Sequence, residues 1–521
     1  MIGNHAALFI STGAFFMNEA MKNQLKLVKD TLKQAELYQH AANVLSYDQE
    51  TICPPKGMEE QGEVGAFLGN EAYKLIKDPA FTEATEALFH QLDELSDPLD
   101  REMVIQLHRD YAKIKNITPE LNYEASLIGN KAYVDWLEAK QKADFSLFAP
   151  SLKAVRDMNA KQIRLRDVHS EDIYDDMLDD FERGITQSDI DAWFGAYKER
   201  ILPLLRKIQA SPKKIRTDFL TRPVTDEQQR QMARYLLEVM DYDFSRGAFT
   251  TTEHPFTSGL GRNDIRITTH YTPDFFASNI FTIVHEGGHA LFEQLQPEHN
   301  YDYYLTGGKT MGMHESVSRF YENVIGRSPE FIHLIFPKAK EIFKEQLADV
   351  SEQEFYEAMN TVTPSLVRTE ADEFTYTFHI IIRYEMEKEI MNERVSIEDL
   401  PALWNAKYQE YLGVTPENDT EGILQDVHWT FALGYFPTYA LGNMYNAMYY
   451  QRMQEDFDVQ AAVLAGDFKK INTWMKDHVF ARADILSPKE WIREICGREP
   501  GPDAFLDYLE EKYSRIYELK D

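Results

Sequence analysis

The sequence predicts a mostly α-helical protein, one large helical body around a deep groove with a single small β patch. Three observations carry that expectation. From Met17 to about Leu220 apolar residues recur at helical spacing in successive segments, punctuated by Pro54-Pro55, Pro79, Pro98, Pro119 and Pro150. Strand-like alternation is confined to Asp264-Ile265-Arg266-Ile267-Thr268-Thr269, which predicts a small edge hairpin. After Tyr301 helical patterning resumes to the C-terminus, broken by a loop near Val414 to Glu421, with no internal repeat and no low-complexity tract. Residues 17–521 therefore read as one helical domain with two lobes flanking the groove.

Bulk composition narrows the function. Apolar residues make up 43% and aromatics 12% of 521 residues, enough to fill a large interior. Acidic residues number 86 against 55 basic, a formal charge of −31, which argues against nucleic acid or an anionic membrane surface as a partner. Any arginine in a cleft of so acidic a chain is informative. The two cysteines, Cys53 and Cys496, make no disulfide framework and point to a reducing cytoplasm. No run reaches the roughly 18 apolar residues of a membrane span. The apolar stretch Ala6 to Phe16 has no preceding Lys or Arg, unlike a secretory signal. The charged helical pattern that begins at Met17 marks residues 1–16 as an upstream extension.

The helical run that follows the β patch contains His285-Glu286-Gly287-Gly288-His289. Thr272 and Pro273 predict its start, a capping hydroxyl before proline, and Pro297 its stop, a helix of about six turns. Phe276, Ile280, Ile283, Val284, Leu291, Phe292 and Leu295 form an apolar stripe, so the helix should be largely buried. Positions i and i+4 share a helix face, which aims His285 and His289 at one metal ion and sets Glu286 beside a metal-activated water. Peptide hydrolysis is the expected reaction. Gly287 and Gly288 each cost about 1 kcal/mol against alanine inside a helix, so a packed neighbour or a substrate chain must need the room.

A catalytic zinc site needs a third protein ligand and an open position. The second helical pattern His314-Glu315-Ser316-Val317-Ser318-Arg319-Phe320-Tyr321-Glu322-Asn323 offers Glu315; Glu322 lies two turns on, and Glu293 points along the axis of the first helix. The β patch doubles as a candidate rail for an extended peptide, added as a strand to a sheet edge. Gly308-Lys309-Thr310 is not a phosphate-binding loop, because Tyr303 occupies the required first glycine position and no strand precedes it. Gly307, Gly308 and Gly312 read either as a flexible loop over the cleft or as a connector.

These residues, with four further motifs, resemble the carboxypeptidase Taq family of zinc carboxypeptidases. The motifs are His254-Pro-Phe256, Asp264-Ile-Arg266-Ile-Thr268, Arg368-Thr-Glu-Ala371-Asp372 and Gly422-Ile-Leu-Gln425-Asp426-Val-His428-Trp429. They cover Ser245 to about Tyr450, and Tyr47-Asp48-Gln49-Glu50-Thr51 extends the likeness toward the N-terminus. One departure is Val317, where the family's H-E-S motif is followed by Gln or Gly; valine supplies no side-chain hydrogen bond there. The resemblance implies a helical fold with a groove, release of C-terminal residues one at a time, broad specificity with poor cleavage before proline, and a homodimer. It also implies one zinc per chain, replaceable by cobalt, and a His2Glu site suits zinc on chemical grounds.

An enzyme acting on free C-termini needs a carboxylate receptor, and Arg368 and Arg266 are the candidates; either could instead pair with a structural acid such as Asp264 or Asp372. His254 and Gln425 are further candidates for substrate binding. The oxyanion of a tetrahedral intermediate calls for a second donor, for which His428, Tyr435 and Tyr439 stand close in sequence, with Asp426 placed to orient His428. Two other classes remain: an oligopeptide endopeptidase using the same chemistry, and a non-catalytic peptide-binding scaffold that keeps metal for stability.

Overall fold

The computed structural model describes residues 17–306 and 310–520, so the expectations for residues 1–16 and for Gly307 and Gly308 lie outside the described residues. The chain divides into two compact units, residues 1–112 with 302–305, and residues 113–301 with 306–521.

The first unit is built on helices α1 (Glu19–Thr51), α2 (Met58–Ile76), α3 (Pro79–Phe89) and α4 (Pro98–Ile114). Helix α1 starts where the Asn18 side chain accepts from the Met21 amide, and α3 where Asp78 accepts from Ala80 ahead of Pro79. Met21, Leu25 and Val28 recur at helical spacing and pack with Phe81, Ala84, Leu88, Leu95, Met103 and Val104 into a core of their own.

The second unit carries α5 (Pro119–Lys142), α6 (Ala149–Arg164), α7 (Ile173–Phe181), α8 (Gln187–Ala210) and α9 (Asp226–Val239), followed by the only sheet among the described residues. After the sheet come α10 (Phe276–Gln294), α11 (Met311–Arg319), α12 (Pro329–Ile342), α13 (Glu352–Met359), α14 (Tyr376–Asn392), α15 (Leu400–Leu412), α16 (Pro437–Asp456), α17 (Val459–Leu464), α18 (Phe468–His478), α19 (Pro488–Cys496) and α20 (Asp503–Ile516). No helix among the described residues is long and apolar enough to cross a membrane.

The sheet contains the expected hairpin, and what it corrects is the place of the alternating patch at an edge. Strands β1 (Gly247–Thr251), β2 (Thr257–Gly261) and β3 (Asp264–Thr269) lie in the order β1-β3-β2, with β3 parallel to β1 and antiparallel to β2. The alternating patch is thus the central strand, Ile265 and Ile267 facing the core, and both of its hydrogen-bonding edges are taken. A third strand cannot add to it, and β2 becomes the edge nearest α10.

Helix α10 begins at Phe276, three residues later than the Thr-Pro signal. The backbone of Thr272 is already engaged by the Gln229 side chain in both directions, at 3.1 and 3.3 Å, and the Pro273 carbonyl accepts from Val224 at 2.8 Å. Those groups belong to the α9 contact and cannot open a helix. The stripe from Phe276 to Phe292 is buried as patterned, with Leu295 partly so.

Room for close neighbours explains both glycines of the motif. A Cβ on Gly288 would lie 2.8 Å from Ser318 Cα and 3.1 Å from the Val317 carbonyl oxygen, backbone atoms of α11. On the other flank of α11, a Cβ on Gly442 of α16 would lie 2.9 Å from the Ser316 nitrogen. At Gly287 the neighbour is the end of the Met240 side chain, 2.9 Å away. Gly312 is a first-turn residue of α11 rather than part of a loop, and its amide donates to the buried Glu182 carboxylate at 2.8 Å. Past Arg319 the helix widens into a π-helical segment, Phe320–Ile325, a form that recurs at functional sites.

Backbone cannot yield as a methionine can, so Gly288→Ala and Gly442→Ala should each lose about 1–3 kcal/mol, seen as a lower thermal midpoint, while Gly287→Ala should lose less. Equal midpoints for the three variants would contradict this account of the helix contacts.

Candidate metal centre and substrate cavity

His285 and His289 stand one turn apart on α10 with ring centroids 4.9 Å apart, and each Nε2 lies 3.6 Å from Glu315 Oε2 on α11. The three ligand atoms lie within 4.8 Å of one another, the one such His/Cys/Asp/Glu cluster among the described residues. Partners on the far side of each ligand set their orientation. His285 Nδ1 lies 2.9 Å from Glu322 Oε2, and His289 Nδ1 lies 2.5 Å from His314 Nδ1, whose Nε2 reaches Glu293 Oε1 at 3.1 Å. With each ring donating through Nδ1, both Nε2 lone pairs are left for a cation. Two imidazole nitrogens and a carboxylate on one point suit zinc.

Arginines hold the acids. Arg319 Nε donates to Glu315 Oε1 at 2.7 Å while its NH1 lies 3.3 Å from Glu322 Oε2, and Arg327 NH2 lies 3.4 Å from Glu322 Oε1. Burial alone would raise the pKa of both glutamates, but Arg319 with the His285 and His289 rings holds Glu315 well below the usual carboxylate range, and Arg319 with His285 and Arg327 holds Glu322 down to about 2. Burial and the His314 ring push His289 down to about 3, so its ring is neutral near pH 7. The roles of Glu322, His314 and Glu293 have no sequence signal beyond residue type.

Glu286 is 7% exposed, and burial raises its pKa. Thr257 Oγ1 on the β2 edge lies 2.7 Å from Glu286 Oε2 and 2.9 Å from its carbonyl oxygen, so the sheet holds one carboxylate oxygen of this residue. Sequence reasoning gave Thr257 no part.

A cavity of about 620 Å³ opens onto His285, Glu286 and Glu315 and is also lined by Arg368, Tyr376 and Tyr439. The other candidates divide by distance from it. Arg266 pairs with Asp264 at 2.7 Å, two residues away on the same face of β3, and lies outside the cavity wall. His254 is exposed, with its carbonyl accepting from Thr252, and Gln425 bonds Arg383 and the Leu366 carbonyl; neither lines the cavity. His428 Nε2 stands 3.4 Å from the Tyr439 hydroxyl, and Tyr435 packs edge-on against Tyr439 with centroids 5.3 Å apart, so Tyr439 is the member of this group that reaches the cavity. Burial lowers the pKa of His428 to about 4 and raises that of Tyr439, leaving both neutral near pH 7.

Asp426 does not orient His428 as expected, since His428 Nδ1 is buried without a hydrogen-bond partner. Asp426 is taken by two arginines, Arg368 through Nε and NH2 at 3.1 and 3.0 Å, and the fully buried Arg383 through Nε at 2.7 Å. Two guanidiniums against one carboxylate leave this trio one positive charge in excess, with Arg368 its member on the cavity wall, and the NH1 of Arg368 donates to the Tyr376 hydroxyl at 3.4 Å.

Removing the partner behind a metal-bound imidazole weakens metal binding about 10–100-fold. Glu322→Gln should therefore raise the zinc dissociation constant by that factor in a chelator competition, whereas Arg266→Ala should leave it unchanged.

Comparison with known proteins places this geometry in context. The family described as carboxypeptidase Taq (M32) metallopeptidase matches residues 27–513. Carboxypeptidase 1 of Bacillus subtilis is 40% identical over 494 residues, 94% of this chain and 98% of that protein. Thermostable carboxypeptidase 1 of Thermus thermophilus is 35% identical over 96% of this chain and 99% of its own. The crystal structure of a carboxypeptidase of the same family from Deinococcus radiodurans superposes with a TM-score of 0.91 at 30% identity, covering 95% of this chain and all of that one.

Proposed function

The chain belongs to the carboxypeptidase Taq metallopeptidase family, and from that premise we propose that it binds one zinc ion through His285, His289 and Glu315 and trims peptides from a free C-terminus one residue at a time. The observation that supports the exopeptidase reading is Arg368, a buried guanidinium that lines the same cavity as His285 and Glu315 and shares its one carboxylate partner, Asp426, with Arg383.

When bound, a zinc ion supplies a water of pKa near 7 and a polarised scissile carbonyl. The remaining steps belong to side chains. Thr257 occupies Glu286 Oε2, which leaves Oε1 to take the proton of the attacking water and return it to the leaving nitrogen. Tyr439, neutral and backed by His428, donates to the oxygen that becomes negative. Arg368 receives the terminal carboxylate, and Asp426, itself held by Arg383, fixes its guanidinium. The peptide lies along β2, the edge strand tied to Glu286, which takes over the rail role first read into β3. Broad side-chain acceptance, poor cleavage before proline, a homodimer and tolerance of cobalt belong to the same proposal through the family. A cytoplasmic location rests on the cysteine count.

The test offers one free-acid peptide and its C-terminal amide with zinc or cobalt, the products followed by mass spectrometry. The free acid should shorten stepwise and the amide stay intact. Glu286→Gln should lower kcat about 10²–10⁴-fold, and Arg368→Ala should lower kcat/KM at least ~30-fold for the free acid. Internal cuts in both peptides would make the protein an endopeptidase. Bound zinc without any cleavage would make it a scaffold.

A further inference from the structure

Tyr376 opens α14, is 3% exposed and lines the cavity, yet no step above uses it. Its ring carries the Arg319 guanidinium, whose central carbon lies 4.3 Å from the ring centroid. Its hydroxyl accepts from Arg368 NH1 at 3.4 Å. The two arginines serve different ends of the site. Arg319 holds the ligand Glu315 at 2.7 Å and reaches Glu322, the partner of His285, at 3.3 Å. Arg368 faces the cavity beside Asp426.

We propose that Tyr376 is a positioning residue shared by the metal centre and the carboxylate receptor, its ring aligning Arg319 on Glu315 and its hydroxyl aligning Arg368; the second half rests on Arg368 as the carboxylate receptor. The physics differs for the two halves. A guanidinium on a long side chain between two acids has several bonded geometries open to it, and a flat ring beneath it selects the plane in which Nε points at Glu315. The hydroxyl is a weaker, separable contact to a guanidinium already fixed on its other side by Asp426.

Two variants separate the halves. Zinc dissociation constants come from competition with a chromogenic chelator, kcat and KM from one free-acid peptide. Tyr376→Leu removes the ring and should weaken zinc binding at least ~10-fold, as loss of a second-sphere support does. Tyr376→Phe keeps the ring and should bind zinc within about twofold of the native protein, while KM rises about three- to tenfold and kcat changes less than twofold. A leucine variant that holds zinc as tightly as the native protein, or a phenylalanine variant that loses zinc equally, overturns the platform role. An unchanged KM in the phenylalanine variant overturns the role at Arg368. Arg368→Ala, measured alongside, keeps the failures apart: unchanged KM there sinks the receptor reading itself, and the zinc measurements still decide the platform.

Discussion

The close approach of α11 to two neighbouring backbones is the constraint on which the site depends. Gly288 of α10 meets Ser318 and Val317, and Gly442 of α16 meets Ser316 and Glu315 itself. The nearest atoms at both contacts are backbone, so the position of Glu315 relative to His285 and His289 is set largely by main chain against main chain. Side chains hop between rotamers, whereas packed backbones do not. The intrinsic cost of Gly288 inside α10, about 1 kcal/mol, accompanies a backbone contact that a residue with a Cβ could not make.

Charge is arranged on that scaffold in layers. The innermost layer is the ligand set; behind it Arg319, Glu322, Arg327, His314 and Glu293 neutralise and orient one another. Burying so many ionic groups costs desolvation, and removing any single partner strands the others. The cluster is therefore better understood as a device for geometry than as a source of stability. A separate cluster, Arg368 with Asp426 and Arg383, sets two arginines against one acid, and of the three Arg368 lines the cavity.

Much of this was legible in the residues, for identifiable reasons. The helix period alone puts His285 and His289 on one face, and the alternation of Asp264 and Arg266 along a strand already implies the pair they form. Glu315 was reachable because a catalytic zinc site demands a third ligand. What stayed hidden depends on contacts distant in sequence. The order of the strands follows from the insertion of β3 between β1 and β2, which no local pattern encodes. The start of α10 was misread because Gln229, from α9, consumes the backbone of Thr272. Arg368 and Arg266 look alike as motif arginines, and only tertiary packing puts one on the cavity wall and the other on a strand face with its own acid.

The distribution of glycines also bears on how such a protein can be made more durable. Replacing helical glycine by alanine is a common route to thermostability, worth about 0.4–1 kcal/mol where the backbone permits it, because the unfolded chain loses freedom. Here the same substitution divides the molecule. Gly65 and Gly69 of α2 and Gly195 of α8 have nothing within 4 Å of an added methyl group and stand open to that gain. Gly288 and Gly442 are closed to it. A stabilised relative could thus accumulate alanines at such open positions, while the two seams at Gly288 and Gly442 would have to keep their glycines for the close approach of α11 to survive.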